Sequence, residues 1–333
     1  MDEPHGPDER LDMLVHRGDL DGLVRMIDDR CSSRDWAGLL RLRDRARQAV
    51  DTGRQLWPAA TLAEYRLALL ATPEFVAEVL DEADGLSGRF TIGPLTEVAA
   101  QRHSWGDLGP LLERGPRAAF VAHERVIRGE PVDDLDLPDV LDIPLLLHSW
   151  EPTYELAVYG DNDAEFPMPE LPDDWSDVEV TADAEVLDDD VELAVRQLLE
   201  PWTTSSNGRA EVVCVDGDAG AAIGALGVRR ARMAELSAQE AIAWIAWAGA
   251  SGGAHGRRRG AASGRFGAWW LLAAFGDLLD DWPPDPDELG ELADDLRWYR
   301  WNAYEPDVGW TLQLAIEDPE EGVAWAITAQ DTH

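Results

Sequence analysis

A chain of 333 residues, 45% of them hydrophobic, is long enough for two ordinary domains and a sizeable core. It carries 66 acidic residues against 28 basic ones, a formal net charge of -38, and no lysine, so every basic side chain other than histidine is arginine. The charge opposes nucleic-acid backbones, and the missing lysine excludes Schiff-base and pyridoxal-phosphate chemistry, the P-loop and the protein-kinase residue set.

The start, MDEPHGPDERLDML, is acidic and has no apolar run, which argues against a signal peptide. Residues 8–130 read as a helical domain. LDGLVRMIDDR places Leu20, Leu23, Val24 and Ile27 on one helical face, and DWAGLLRLRDRARQAV repeats the spacing. TLAEYRLALLA follows, then TPEFVAEVLDEADG with Thr72 as N-cap and Pro73 as the first helical residue. PLTEVAAQRHSW, WGDLGPLLERG and PRAAFVAHERVIRGE complete the half. DWAGLL and SWGDLGPLL echo each other, and HSW occurs at His103–Trp105 and again at His148–Trp150, as stacked helix pairs of a loose solenoid would produce. AHERV at His123 begins like a zinc-protease helix, but Ile127 stands where HExxH needs its second histidine.

Residues 131–200 form an acidic, proline-containing connector, ordered in part, with 22 acidic residues and the single arginine Arg196. Within it TYELAVYGD is an isolated strand candidate, and LDDDVELAVRQLLEPW reads as a helix whose acidic first turn suits the helix dipole.

Residues 201–330 alternate between strand and helix patterns. NGRAEVVCVDGD is a turn and strand, DAGAAIGALG a short helix ending at Gly227, and VRRARMAEL a second strand, together a βαβ-like unit. SAQEAIAWIAWAGA is a helix with a capping box from Ser237 to Glu240. DPDELGELADDLRWYRW is a helix and then a strand, and GWTLQLAIEDP alternates as a strand. The fold class is therefore mixed α/β, or α+β: a helical, solenoid-like N-terminal half and a C-terminal domain with a small sheet of three or four strands flanked by helices.

The densest basic cluster is SGGAHGRRRGAASGRFGAWW, Ser251 to Trp270. One reading is close packing. Gly256, Gly260 and Gly264 recur every four residues and would form a bare helical stripe, with Arg258 and Arg265 on another face, solvated or paired with the protein's own acids. The other reading is an anion site at a helix start within 252–265. There Arg257, Arg258, Arg259 and Arg265 offer forked donors, Trp269 or Trp298 lines a pocket, and His255 is the candidate acid–base. Asp216 and Asp218 in CVDGD are a weak metal pair, since Asp218 serves equally as a helix cap, and no metal or cofactor is expected. Cys31 and Cys214 form no CxxC motif. The longest apolar run, GAWWLLAAFG, is about half of the roughly 18 residues a membrane span needs. A cytoplasmic protein away from membranes and nucleic acids is expected.

The run from EPWTTSSNGRAEVVCVDGDAGAAIGALG through GGAHGRRRGAASGRFGAWW resembles an uncharacterised, largely actinobacterial family of unknown function, strongly over residues 190–330 and weakly over the helical half. The resemblance implies a bacterial protein and brings no catalytic residue with it. Two functions stay open. The first is a non-enzymatic protein-binding or regulatory module whose acidic surface meets a basic protein partner. The second is an enzyme or binding protein for a small phosphate- or carboxylate-bearing ligand held by His255, Arg257, Arg258, Arg259, Arg265 and Trp269.

Overall fold

The computed structural model describes residues 7–82, 92–134, 136–181, 183–306 and 308–332. The chain divides into two compact units. One is 1–140 with 158–165, and the other is 141–157 with 166–333. The acidic stretch after residue 130 is thus shared between them.

The first unit is helical: α1 Pro7–Arg17, α2 Leu20–Ser33, α3 Trp36–Asp51, α4 Trp57–Leu70, α5 Pro73–Asp81, α6 Leu95–Arg102, α7 Trp105–Leu108 and α8 Pro116–Ile127. Asp19 caps α2 through the Gly22 amide and Asp35 caps α3 through the Gly38 amide. The face expected on α2 is the buried one at Leu23 and Ile27, while Val24 lies at its exposed margin. Helix α4 has no polar side, and even Thr61, Glu64, Tyr65 and Arg66 are buried. A helix apolar or buried all round is a core helix, and α4 touches α2, α3, α5 and α6. Helix α4 is the most enclosed of them, and the main helix–helix contacts of the unit join each helix to its next or next-but-one neighbour, the pattern that stacked helix pairs make. TYELAVYGD is not isolated. Its β1 Val158–Tyr159 pairs antiparallel with β2 Ala164–Glu165. This hairpin is tied to the helical unit by the Tyr65 hydroxyl, which donates to Gly160 O at 2.5 Å, and by the Tyr159 hydroxyl, which donates to Glu97 at 2.6 Å.

The second unit is built on one seven-stranded sheet, larger than the three or four strands expected. It comprises β3 Ser176–Val178, β4 Val186–Leu187, β5 Arg209–Asp216, β6 Ala231–Leu236, β7 Arg297–Asn302, β8 Trp310–Asp318 and β9 Val323–Asp331 in the order β3-β6-β7-β8-β9-β5-β4, every neighbouring pair antiparallel. Two of the additional strands, β3 and β4, are only two or three residues long, too short to show a period of two. The expected βαβ unit is real as a sequence of elements, with α11 Ala219–Ala225 between β5 and β6. Its strands run the same way but are separated by β9, β8 and β7, which pair as a meander and fill the space between them.

Helices cover both faces of the sheet. Helix α11, capped by Asp218 accepting from the Ala221 amide, packs Ala219, Ala222 and Ile223 against Val215, Ala315, Ala324 and Trp301. The other face carries α9 Val191–Leu198, α12 Ala238–Ala250 and α13 Ala261–Phe275, with α10 Glu200–Thr204 and α14 Pro286–Asp295 nearby in sequence. Helix α12 has the expected capping box. One register row crosses six strands on this face: Leu236, Trp298, Ile316, Trp325, Cys214 and Leu187. Phe275 at the end of α13 meets Trp298 and Trp325 in that row, at ring distances of 5.8 and 5.1 Å. Among the described residues, no helix is long and apolar enough to cross a membrane.

Candidate functional site

The glycine–arginine stretch is a loop over residues 251–260, and α13 begins only at Ala261. The expected helical stripe therefore reduces to one of its three glycines. Gly260 holds φ +96 and ends the loop, and Gly256 belongs to the loop. Gly264 is in the helix, and there it does what the stripe implied. A Cβ on it would lie 2.2 Å from Ala246 O on α12, so only glycine lets the two backbones approach this closely.

The candidate residues separate into two environments. Arg265 is fully buried. Its Nε donates to Glu151 Oε2 at 2.6 Å and its Nη2 to Glu151 Oε1 at 2.7 Å, a two-pronged pair with both side chains at 0% exposure. The remaining guanidinium donors reach the carbonyls of Pro144 at 2.7 Å and Leu146 at 3.1 Å. Glu151 also accepts from the Trp269 indole at 3.1 Å, the Tyr154 hydroxyl at 2.6 Å and the His148 amide at 2.9 Å. Trp150 and His148 close round the Trp269 ring at 5.1 and 5.9 Å. Burial alone would raise the Glu151 pKa, but the hydrogen bonds and charge of Arg265, with the Tyr154 and His148 donors, outweigh it and hold the carboxyl below its usual range. Burial, with Glu151 beside it, pushes the Tyr154 phenol well above 10. Arg265 and Trp269 are thus partners of an internal carboxylate.

The other candidates lie at the surface or near it. Arg257, Arg259 and His255 are exposed. The Arg258 guanidinium lies 4.8 Å from the Phe166 ring centroid, and Arg259 reaches Gln197 O at 3.4 Å. The loop amides have internal acceptors. Ala254 N–H donates to Asp331 at 2.5 Å and His255 N–H to the Ser206 hydroxyl at 3.0 Å. Asp331 is fully buried at the end of β9, so a carboxylate of the protein already occupies part of the anion-binding face that this loop offers. Trp298 donates to Ala293 O at 2.9 Å inside the core.

A different constellation occupies the β4–α9 end of the sheet. An open cleft of about 590 Å³ is lined by Asp188, Asp189, Asp190, Glu192, Asp277, Asp318 and Glu321 round Phe275, Val323 and Trp325. A smaller cavity of about 110 Å³ shares Asp188, Asp189, Glu192 and Trp325 with it and adds Leu187, Val212, Val213 and Cys214. Asp189 is fixed at the junction, accepting from the Trp325 indole at 2.5 Å and the Val191 amide at 3.0 Å. Burial, with Asp189 close by, pushes the Cys214 thiol up to about 12, so it stays protonated at neutral pH and is no nucleophile there. Among the described residues no arginine lines either cavity, and Arg196, exposed on α9, is paired with Glu192. Sequence reasoning did not find this cleft, because DDD at 188–190 looks like any other part of an acidic stretch until Asp277, Asp318 and Glu321 are brought to it. No group of three or more His, Cys, Asp or Glu side chains among the described residues is arranged to hold a metal ion.

Fold and site together define an α+β protein with a two-faced antiparallel sheet, a sealed acid–arginine centre and an acid-walled cleft at one end of the sheet. Residues 21–333 match a family described as a family of unknown function, DUF6183, and the chain belongs to that family. The match takes in the helical half as well as the C-terminal half that carried the resemblance. No curated protein and no solved structure matches the chain.

Proposed function

We propose that the protein is a non-enzymatic binding module that takes a basic segment of a protein partner in the acid-walled cleft. One observation carries this reading: the cleft is lined by seven acidic residues and by no arginine among the described residues, round an aromatic and aliphatic floor. Elsewhere in the molecule arginines answer the acids, as Arg43 does Glu82, Arg47 does Glu64, Arg125 does Glu130 and Arg265 does Glu151. Of the seven, Glu192 is paired with Arg196; like charges concentrated in one concavity raise the local potential and favour a cationic occupant, and the apolar floor suits the stems of arginine or lysine side chains. The anion-site reading has less support, because Arg265, Trp269 and the loop amides already have internal partners.

The test is fluorescence anisotropy with a labelled hexa-arginine peptide at two ionic strengths. The triple variant Asp188→Asn/Asp190→Asn/Glu321→Gln is compared with Asp21→Asn/Asp29→Asn/Asp51→Asn, which changes the net charge by the same amount on the helical unit. A loss of at least about tenfold confined to the cleft variant, with salt weakening what remains, is the expected result. Equal binding by both variants would mean diffuse attraction to a charged surface and would overturn the reading.

A further inference from the structure

Strand β5 is eight residues long, but β4 pairs with it only at Val215 and Cys214. Asp188–Asp190 then turn the chain into α9, where the Asp189 carboxylate accepts from the Val191 amide at 3.0 Å. The ladder on that side stops while β5 runs on to Arg209. The Asp216 amide donates to Glu185 O on the β4 side, so alternate residues Cys214, Val212 and Ala210 turn their peptide groups the same way. Those of Val212 and Ala210 meet no neighbouring strand among the described residues. An exposed edge of this kind is a template for another strand.

What surrounds the edge narrows what can join it. Val186 of β4, beside the open part of the edge, is 60% exposed, and Val212 and Val213 are half-buried. The cavity of about 110 Å³ opens at the point where β4 leaves off, on the side of the sheet carrying Cys214 and Leu187. Side chains of a strand continuing the line of β4 would alternate between the two faces, and the residue opposite Val212 would point to the same face as Leu187 and into that cavity. The charged groups in reach are Asp188, Asp189, Glu192 and Glu211 against Arg196 and Arg209, with Arg196 already paired to Glu192. A second copy of this chain would bring the same excess of acids, and a further -38, to the edge.

We infer that the edge of β5 over residues 209–213 is a strand-addition site for an extended peptide that alternates apolar with arginine or lysine residues. Main-chain bonds to Val212 and Ala210 would hold it, an apolar side chain would enter the small cavity, and a basic one would lie toward the acid-walled cleft. This deepens the reading of the cleft as a basic-segment site and rests on it.

The first arm of the test leaves the protein unchanged. An acetylated, amidated octapeptide alternating valine and arginine is the probe, compared with two versions N-methylated on alternate residues, one for each parity. Strand addition predicts that one parity loses at least about tenfold in affinity while the other binds like the parent, since only one set of peptide N–H groups faces β5. A second arm uses Val212→Pro, which removes an outward amide without touching the ladder to β9; with its fold checked by circular dichroism, it is expected to lose binding to the same extent. Equal binding by both N-methylated peptides, with binding still lost in the cleft triple variant, overturns strand addition and leaves the cleft reading standing. No saturable binding of the unmodified octapeptide at millimolar concentration overturns strand addition, while hexa-arginine binding independently decides the cleft.

Discussion

Arg265 and Glu151 show how a charge pair can be both structural and fully buried. Removing two ions from water is opposed by solvation, and the pair survives because all the groups round it are matched: two parallel N–H···O bonds, two carbonyls for the remaining guanidinium donors, and three further donors for the carboxylate. Breaking one side leaves the other buried and unpaired. Glu151→Gln and Arg265→Met are each expected to lower unfolding free energy by about 3–5 kcal/mol, measured by urea denaturation. Arg265→Lys is expected to fail as well, since one ammonium cannot make both bonds to Glu151. The pH dependence has two signs. The folded Glu151 pKa lies below its unfolded value, so its contribution is present above the ordinary carboxylate range and is lost as pH falls through that range and below. The folded Tyr154 pKa lies above its unfolded value, so stability is lost as pH rises past about 10, where only the unfolded chain ionises. Tyr154→Phe should make the alkaline limb of a stability–pH profile shallower and, because it removes a donor to Glu151, should also shrink the acid limb.

At the scale of elements, the glycines of the α12–α13 hairpin act by absence of a side chain. Gly264→Ala puts a methyl into the Ala246 carbonyl and is expected to cost about 1–3 kcal/mol as overpacking, although alanine at an exposed helical site would gain about 1 kcal/mol over glycine. Gly253→Ala meets two obstacles, a positive φ of +69 and the Asp331 carboxylate 2.1 Å from the new Cβ. It should release the 251–260 loop, seen as faster amide exchange at Ala254 and His255, with less effect on the sheet. The elements themselves were largely readable. The capping box at Ser237, the Asp218 cap, Pro73 opening α5 and the alternation of β8 are local signals made by neighbouring residues. The helix start near Gly256 was misplaced because alanine and glycine at regular spacing resemble a helix in sequence. In the fold, Ser251, Ser206 and Asp331 bind the amides of residues 253–255 and hold them as a loop.

At the scale of the molecule, the chain passes between its two units three times, at residues 140, 157 and 165. Neither obvious cut respects this. A fragment 166–333 has Arg265 without Glu151, and a fragment 1–157 has α6 and Tyr65 without the 158–165 hairpin they hold. The fragment 166–333 is expected to show little cooperative unfolding by circular dichroism, whereas 141–333 should unfold cooperatively with the sheet and its hub intact. Single cooperative melting of 166–333 at the temperature of the full chain would refute this.

The sequence by itself determined the class of fold, most helix positions, the caps, and the exclusion of lysine chemistry, because these follow from composition and from residues within a few positions of each other. It also placed the densest arginine cluster at the right hairpin. Only the tertiary structure decided that Arg265 belongs to Glu151, 114 positions away, that the sheet has seven strands with three between β5 and β6, and that Asp188–Asp190 share a cleft with Asp277, Asp318 and Glu321. The physical reason is the same in each case. A buried ion pair, a strand's neighbour and a concentration of charge are set by which distant segments pack together, and one aspartate among 66 acidic residues bears no local mark of the partner it will meet.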